Sequence, residues 1–292
     1  MNTNRYDTIS FLSDYGIRDE FVGIVKCVIA DIAPQAKVID LTHEIPPFDV
    51  RAGSLALARC ISYVPSGIVL AVVDPGVGTA RRGVAVSVGG GRGVLIGPDN
   101  GLLSMGTALA GGADAAVVLN NPEYQLGAPG ATFAGRDIFA PAAAHLCNGV
   151  PFAELGDAVD PSLLMPGVVP LSRTEADGIV AEITWVDRYG NCQLNVGPDD
   201  VSSLGTQLSV LLTTSTGERS TRAASIVNTF ADIGGGIGLV IDSFGMLAIC
   251  IDRGSAADEL SIGVGDAVTL SVLTETPSVT TSVQLRSHPK SN

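Results

Sequence analysis

The stretch IVLAVVDPGVGTAR, residues 68–81, decides the fold. Its first six residues are apolar and rich in β-branched side chains, which is typical of a strand covered on both faces. Asp74 follows that strand at once, and Pro75, Gly76 and Gly78 predict a tight turn after it. Strand-like and helix-like patterns alternate around this stretch as far as about residue 170. This alternation indicates an α/β layer fold.

A second pattern begins at about residue 178, where short strand-like runs follow one another with no convincing helix between them. Such a series predicts an all-β unit, and a small barrel is one way to close it. The polar connector near residues 170–177 separates the two patterns. We therefore predict an α/β N-terminal domain over residues 1–173 and an all-β, barrel-like C-terminal domain over residues 174–292. The last predicted strand runs from Thr280 to Leu285.

Composition excludes several classes of function. The chain has 292 residues and a formal net charge of -13, with 17 Lys and Arg against 30 Asp and Glu. A nucleic-acid binder or a protein of anionic membranes needs a basic face, so neither partner is expected. No apolar run approaches the ~20 residues that span a bilayer. Five scattered cysteines and three separated histidines predict reduced thiols, no metal site and a cytoplasmic protein.

Acidic residues follow three of the predicted strands, at Asp14, Asp74 and Asp99. Ligands in open α/β sheets bind at the carboxyl ends of strands, so the three predict one shared site. Arg81 lies seven residues after Asp74 and can fold back over its carboxylate. An ion pair that merely closes the turn explains these two residues equally well. Asp19 lies just beyond Asp14, and a cap on the helix that follows explains it without a ligand.

Two glycine-containing segments favour different interpretations. The run at residues 89–91 precedes a strand rather than a helix, so it predicts a hairpin and not a phosphate loop. Gly135, in the segment Thr132 to Phe139, permits close approach of the backbone to a ligand. The adjacent Arg136 and Asp137 are equally explained as charges at a helix start.

The segment from Asp187 to Asn191 combines the groups that an amino group and a purine require. Asp187 offers a charge, Tyr189 a stacking face and Asn191 an amide edge. A hairpin turn explains the Gly-Asn pair just as well.

In this order, the segments resemble the S-adenosyl-L-methionine hydroxide adenosyltransferases, adenosine-forming hydrolases related to the fluorinase and chlorinase enzymes. The resemblance runs from Phe11 to about Leu273. It implies an α/β N-terminal domain, a β-barrel C-terminal domain and a homotrimer in which each ligand lies between domains of neighbouring subunits. The most specific pieces are Phe11 to Asp14, Asp74 to Thr79 with Arg81, Gly97 to Gly101, and Gly135 to Phe139.

The resemblance also implies a role for each matched residue. Asp14 would hold the ribose hydroxyls, and Asp74 with Arg81 would hold the attacking water. The family places a histidine in that water site, and its position here is Ala134. No cofactor beyond the substrate is implied. The methionine end would contact Asp19, Asp187 and Ser243, and the adenosine would contact Phe48, Tyr189, Asn191, Phe230 and the backbone of Ser255 and Ala256.

The sequence therefore predicts hydrolysis of S-adenosyl-L-methionine to adenosine and L-methionine, with turnover impaired by Ala134. A rival hypothesis is a halogenase of the same superfamily, which Asp74 disfavours because a carboxylate repels a halide at short range. The fluorinase pattern also carries Tyr, Thr and Ser at the positions of Asp74, Val77 and Gly135. Two further hypotheses are a protein that binds S-adenosyl-L-methionine with little turnover, and an α/β protein for another nucleoside.

Overall fold

The computed structural model describes residues 6–176 and 178–274. The chain divides into two compact units, Met1–Val169 and Pro170–Asn292. The predicted strand from Thr280 to Leu285 lies outside the described residues.

The first unit alternates strands and helices, as the sequence pattern predicts. Short helical turns also occur at Pro122–Tyr124, Phe152–Leu155 and Pro161–Leu163. Its elements are β1 (Thr8–Ser13), α1 (Phe21–Ile32), β2 (Lys37–Thr42), α2 (Val50–Cys60), β3 (Gly67–Val72), β4 (Gly83–Val88), β5 (Gly93–Pro98), α3 (Ser104–Leu109), β6 (Ala113–Val118), α4 (Ala140–Cys147) and β7 (Ala158–Val159).

These strands form one mixed, seven-stranded sheet in the order β2-β1-β3-β5-β4-β6-β7. Strands β2, β1, β3 and β5 are parallel neighbours, and β4, β6 and β7 join in antiparallel fashion. Side chains alternate across a strand, so each strand supplies two cores. Ile68 and Leu70 of β3 lie in one core, and Val69 and Ala71 lie in the other.

Helices cover both faces of this sheet. Helices α1 and α4 pack together on one face, and α2 and α3 pack together on the other. Every residue of β3 is buried as a result, which confirms the prediction of a strand covered on both sides. The predicted helix from Asp137 begins differently, because a π-helical turn at Gly135–Phe139 precedes α4.

The second unit is a closed, seven-stranded β-barrel. Its strands follow the order β10-β14-β13-β12-β11-β15-β9, and pairing of β9 with β10 closes the ring. Strand β8 pairs with β9 outside that ring. The strands are β8 (Arg173–Glu175), β9 (Gly178–Val186), β10 (Cys192–Leu194), β11 (Gln207–Thr213), β12 (Arg219–Val227), β13 (Ile237–Ile241), β14 (Leu247–Cys250) and β15 (Ala267–Val272).

One expectation for this unit is wrong, because a short helix, α5 (Ala256–Leu260), lies between β14 and β15. The Ser255 hydroxyl caps it by accepting a hydrogen bond from the Asp258 amide at 3.1 Å. Ala256 is fully buried in the barrel core. The helix has only five residues, too few for an amphipathic period to be legible in the sequence.

Candidate active site

A cleft of about 250 Å³ opens at the carboxyl ends of β1 and β3. The two strands are adjacent and parallel, so they deliver the residues that follow them to the same edge of the sheet. Asp14 and Asp74 both line this cleft, as the sequence predicts. A backbone hydrogen bond from the Asp14 amide to the Val72 carbonyl, 3.3 Å long, joins the two strand ends.

The Asp74 carboxylate is held by the guanidinium of Arg81. Arg81 Nε donates to Asp74 Oδ1 at 2.9 Å, and Nη2 donates to Oδ2. The Asp74 and Arg81 side chains are only 6% and 11% exposed respectively. Burial raises the pKa of Asp74 above its usual value, the Arg81 charge opposes that rise, and the Asp14 charge adds to it. A carboxylate with a raised pKa is a better proton acceptor than an exposed one.

The turn after Asp74 brings Arg81 back onto the carboxylate. The Val77 amide bonds to the Asp74 carbonyl, and the Thr79 amide and hydroxyl bond to the Gly76 carbonyl. The Thr79 hydroxyl in turn accepts the Arg81 amide at 3.3 Å. Local hydrogen bonds therefore fix the ion pair, and the fold-back expected from the sequence is confirmed.

Asp14 is tied to an exposed aromatic residue. The Phe48 amide donates to Asp14 Oδ2 at 2.9 Å. Phe48 has a φ of 68°, in the left-handed region that is strained for a bulky residue, and the residue is 72% exposed. Burial raises the pKa of Asp14, and the hydrogen bond from Phe48 opposes that rise. Asp14 and Phe48 thus present a carboxylate beside an open aromatic face.

Another part of the cleft lining comes from the segment before α4. Phe133, Ala134 and Gly135 line the cleft, and Ala134 is 7% exposed. The Arg136 guanidinium lies over the Phe133 ring and also pairs with the Asp137 carboxylate, with Nε 2.5 Å from Oδ1. Arg136 and Asp137 therefore form an ion pair in the π-helical turn that precedes α4. This position agrees with their interpretation as charges at a helix start.

Two acidic residues do not join the cleft. Asp19 is exposed on the loop before α1, and its side chain does not cap that helix, whose N-cap is Glu20. The prediction that Asp99 shares the site is wrong. Pairing of β4 with β5 places Asp99 beside Arg82, which binds its carboxylate, and the Met165 amide binds it as well. Those contacts hold Asp99 in a different cavity.

A chain of hydrogen bonds that the sequence did not reveal supports the Asp14 loop. Ser13 Oγ lies 2.8 Å from His43 Nδ1, and His43 Nε2 lies 3.0 Å from Asp40 Oδ1. Asp40 Oδ2 accepts from Lys26 Nζ at 2.6 Å. Burial by itself raises the pKa of Asp40, but the hydrogen bonds from Lys26 and His43 outweigh it and hold that pKa below its usual value.

This chain fixes the backbone on either side of Tyr15. Ser13 Oγ accepts the Tyr15 amide at 3.3 Å, and the His43 carbonyl accepts the Gly16 amide at 2.7 Å. A neutral His43 that donates from Nε2 to Asp40 leaves Nδ1 to accept the Ser13 proton. His43 lies thirty residues from Ser13. Sequence spacing therefore gave no signal of the contact, and only the adjacency of β1 and β2 creates it.

The second unit has a separate pocket of about 340 Å³. Four of the predicted ligand contacts line it, namely Asp187, Asn191, Phe230 and Ser243. The sequence did not single out Trp185 or Gln193, which line it too. The Trp185 and Phe244 rings meet edge to face, with centroids 6.0 Å apart. This wall offers apolar surface, as a purine or a thioether chain requires.

The carboxylate of Asp187 is already bound within its own turn. Asp187 Oδ1 accepts the amides of Tyr189 and Asn191 at 2.8 and 2.9 Å, and Oδ2 accepts the Asn191 side-chain amide at 2.8 Å. The hairpin interpretation of this segment is therefore confirmed. Tyr189 is 76% exposed on the turn.

The turn at Gly190 packs against the start of α5. A Cβ on Gly190 would lie 2.0 Å from Ser255 Oγ, so no larger residue fits there. The Ala257 amide donates to the Gly190 carbonyl at 3.0 Å. The structure thus brings Tyr189 and Asn191 beside Ser255 and Ala256, although the last two do not line the pocket wall.

Metal-binding clusters and membrane-spanning helices are both absent from the described part of the chain. Residues 6–176 and 178–274 contain no group of three or more His, Cys, Asp or Glu side chains arranged to hold a metal ion. Within the same ranges, no helix is long and apolar enough to cross a membrane.

The glycine run at residues 89–91 forms the β4–β5 hairpin as predicted, and Asp114 accepts the amides of Gly90 and Gly91.

Comparison with known proteins identifies two matching family models. Residues 9–156 match the SAM hydroxide adenosyltransferase N-terminal domain, and residues 181–269 match the SAM hydroxide adenosyltransferase C-terminal domain. The matched ranges cover most of both compact units. They include every residue assigned to the water site by the resemblance.

Curated relatives span nearly the whole chain. An (R)-S-adenosyl-L-methionine hydrolase of Salinispora tropica is 47% identical, over 88% of this chain and 95% of its own. A protein of the same name from Thermus thermophilus is 38% identical, over 90% and 98%. A fluorinase from an Actinoplanes species is 30% identical, over 92% and 99%. Among solved structures, an uncharacterized conserved protein from Thermotoga maritima matches with a TM-score of 0.81 at 33% identity, over 90% and 99%.

The hydrogen-bond chain behind the cleft gives a graded stability prediction. Replacing His43 with Ala leaves the buried Ser13 hydroxyl without the ring nitrogen that accepts its proton and removes an aromatic contact to Phe11. We expect the free energy of unfolding to fall by about 1–3 kcal/mol. Replacing Lys26 with Ala removes only the exposed end of the chain and should cost less than about 1 kcal/mol. Urea unfolding of both variants measures the difference, and equal losses would contradict the graded role.

Proposed function

The chain belongs to the SAM hydroxide adenosyltransferase family, and on that premise we propose that it hydrolyses S-adenosyl-L-methionine to adenosine and L-methionine. The observation that carries the proposal is the buried pair of Asp74 and Arg81 in the same cleft as Asp14. That cleft offers a proton acceptor and a group that orients it. The carboxylate of Asp14 is available for a ribose diol.

At C5′ the reaction breaks one bond and forms one, and a proton moves from the water to Asp74. The water oxygen attacks the ribose C5′, the C5′–S bond breaks, and its electron pair stays on sulfur. Sulfur changes from a cationic sulfonium to the neutral thioether of methionine, so no acid is needed to protonate the leaving group. Asp74 accepts a proton from the water, and Arg81 orients the carboxylate. No cofactor enters this scheme.

Charge in the cleft favours water over a halide as the nucleophile. Asp14 and Asp74 carry two negative charges there, and the Arg81 guanidinium faces one of them. An anion close to Asp74 would be repelled, whereas a sulfonium would be attracted. Orientation of the water behind C5′ also lowers the activation barrier, by up to ~7–11 kcal/mol in favourable cases.

Ala134 sets the expected turnover. Its methyl group lines the cleft where the family resemblance implies a histidine. A positioned acid–base group contributes roughly 10²- to 10⁴-fold to a rate. We therefore propose a hydrolase whose rate is lower than that of a chain with histidine at this position.

The remaining contacts of the substrate follow the predicted residues. Phe48 supports adenosine binding through its exposed ring. On the second unit, the proposed adenosine contacts are the side chains of Tyr189, Asn191 and Phe230 and the backbone of Ser255 and Ala256. Asp19, Asp187 and Ser243 are proposed for the methionine end. Asp187 already accepts hydrogen bonds from its own turn, and an ionised carboxylate has lone pairs left for an ammonium group.

We also propose a cytoplasmic homotrimer with each site built from two subunits. The cleft of the first unit and the pocket of the second unit each hold only part of the predicted contact set. Each unit also exposes a large aromatic side chain, Phe48 on the first and Tyr189 on the second. Exposed aromatics at the rims of incomplete sites are expected where a second copy covers them.

Isotope labelling tests the reaction itself. We expect incubation with S-adenosyl-L-methionine in ¹⁸O-water to give adenosine with the label in its 5′-hydroxyl, together with unlabelled methionine. Asp74→Asn should reduce adenosine formation by roughly 10²-fold or more, because the amide accepts no proton. Asp114→Asn, at the β4–β5 hairpin, is the matched control and should retain full activity.

The same assay separates the rival functions by mass spectrometry of the products. A 5′-halogenated nucleoside formed on adding chloride or fluoride would identify a halogenase instead. Intact S-adenosyl-L-methionine that stays bound after long incubation would identify a binding protein. Absence of both binding and turnover would leave a protein for another nucleoside.

The acid limb of the pH–rate profile tests the role of Asp74. The carboxylate is the active form, so kcat/KM should fall as pH drops through its pKa, which burial raises above 3.8. Arg81→Gln removes the charge that opposes this rise, so the midpoint should move to higher pH. Arg82→Gln removes a neighbouring guanidinium that binds Asp99 and should leave the midpoint in place. An unmoved midpoint in Arg81→Gln would argue that another group titrates.

Subunit mixing tests the shared site. Asp74→Asn and the double variant Tyr189→Ala/Phe230→Ala should each have low activity as separate preparations. Co-expression should form mixed trimers that contain some sites with every group intact, so activity should exceed the average of the parents. No gain, or a mass by light scattering other than three times that of the chain, would contradict the proposal.

A further inference from the structure

Tyr15 lies on the wall of the first-unit cleft and has no role in the scheme above. It shares that wall with Asp14, Asp74, Ala134 and Gly135. Three aromatic rings hold its own ring in place. Their centroids lie 6.4, 5.6 and 5.7 Å from it, for Phe11, Phe21 and Phe133 in that order. The hydroxyl is thus carried on a ring with little freedom to turn away.

The hydroxyl of Tyr15 reaches the backbone beside Ala134. A Cβ built on Gly135 would lie 2.2 Å from Tyr15 Oη, a distance that real Cβ atoms do not adopt. Gly135 is not among the glycines with positive φ, so its backbone conformation does not require glycine. Space for the phenol is therefore the reason that no side chain fits here.

The phenol is also close to the charges of the water site. Burial raises the pKa of Tyr15, and the charges of Asp14 and Asp74 raise it further. The Gly135 amide and the Arg81 charge act in the opposite direction. The hydroxyl consequently keeps its proton at neutral pH and remains both a donor and an acceptor.

We propose that the Tyr15 hydroxyl is the third polar group of the water site and contacts the attacking water beside Ala134. This inference rests on the proposed hydrolysis. A water that gives one proton to Asp74 still has a second hydrogen to place, and an oxygen fixed on a packed ring fixes its direction. Tyr15 orients the water and takes no proton from it, because the only proton transfer in the step is to Asp74.

Removing the hydroxyl alone tests this role. Tyr15→Phe keeps the ring and its three aromatic contacts, so the melting temperature should not fall. We expect kcat to drop about 10-fold, the effect of one hydrogen bond, with KM for S-adenosyl-L-methionine changed less than about twofold. Tyr124→Phe is the control, since its hydroxyl binds Glu154 on the surface, and it should behave as the parent.

A second background separates water positioning from packing. In Ala134→His, the introduced imidazole competes for the same water, so adding Tyr15→Phe should cost less than about threefold in kcat. A purely structural tyrosine would give the same loss in both backgrounds, and non-additivity of this kind marks residues that share one partner. Equal losses, or a change in KM alone, would overturn the inference.

The outcomes also distinguish this inference from the proposed function. A parent chain that binds S-adenosyl-L-methionine and releases no adenosine overturns both. An active parent whose Tyr15→Phe variant has unchanged kcat overturns only the role of Tyr15. An active parent with the kcat loss confined to the Ala134 background supports both.

Discussion

The paired hydrogen bonds between Asp74 and Arg81 are the interaction on which the first-unit site depends. Two parallel N–H···O contacts fix the plane of the carboxylate, and the turn from Pro75 to Thr79 fixes the guanidinium. Both side chains are nearly buried, so removing either would leave an uncompensated charge inside the protein. The pair therefore contributes to the fold, and this ion-pair interpretation is compatible with the proposed role in catalysis.

The sheet order turns that local pair into a site. Parallel pairing of β1 with β3 sets Asp14 beside the strand end that carries Asp74. Two carboxylates against one guanidinium make the cleft attractive to a sulfonium and hostile to a halide. Burial raises the pKa of Asp74, and the nearby charge of Asp14 adds to that rise.

The second unit uses its carboxylates differently. Asp187 and Asp242 each accept several hydrogen bonds from their own hairpin turns. These bonds fix the turns and leave apolar rings, such as Trp185 and Phe244, as the main pocket surface. The shape of the second-unit pocket therefore depends on the closed barrel, whereas the shape of the first-unit cleft depends on the ends of two strands. A ligand with a charged sulfonium and a planar base needs both kinds of surface.

The sequence by itself determined the features that short-range rules control. The fully apolar run of β3, the turn that returns Arg81 to Asp74, the glycine hairpin and the change from α/β to all-β are each set by residues close together in the chain. The conformation of such segments follows from local sterics and hydrophobic period. The family motifs implied a role for each matched residue, which no period or spacing contains.

Only the tertiary structure decided which distant groups meet. Ser13 contacts His43 because β1 and β2 are neighbours. Asp99 lies outside the cleft because pairing of β4 with β5 places Arg82 beside it. Tyr15 reaches Gly135 because α1 and α4 pack on one face. The pairings of β10 with β14 and of β9 with β15, which complete the barrel, belong to the same class. Each depends on packing between segments far apart in sequence, and a local pattern carries no information about it.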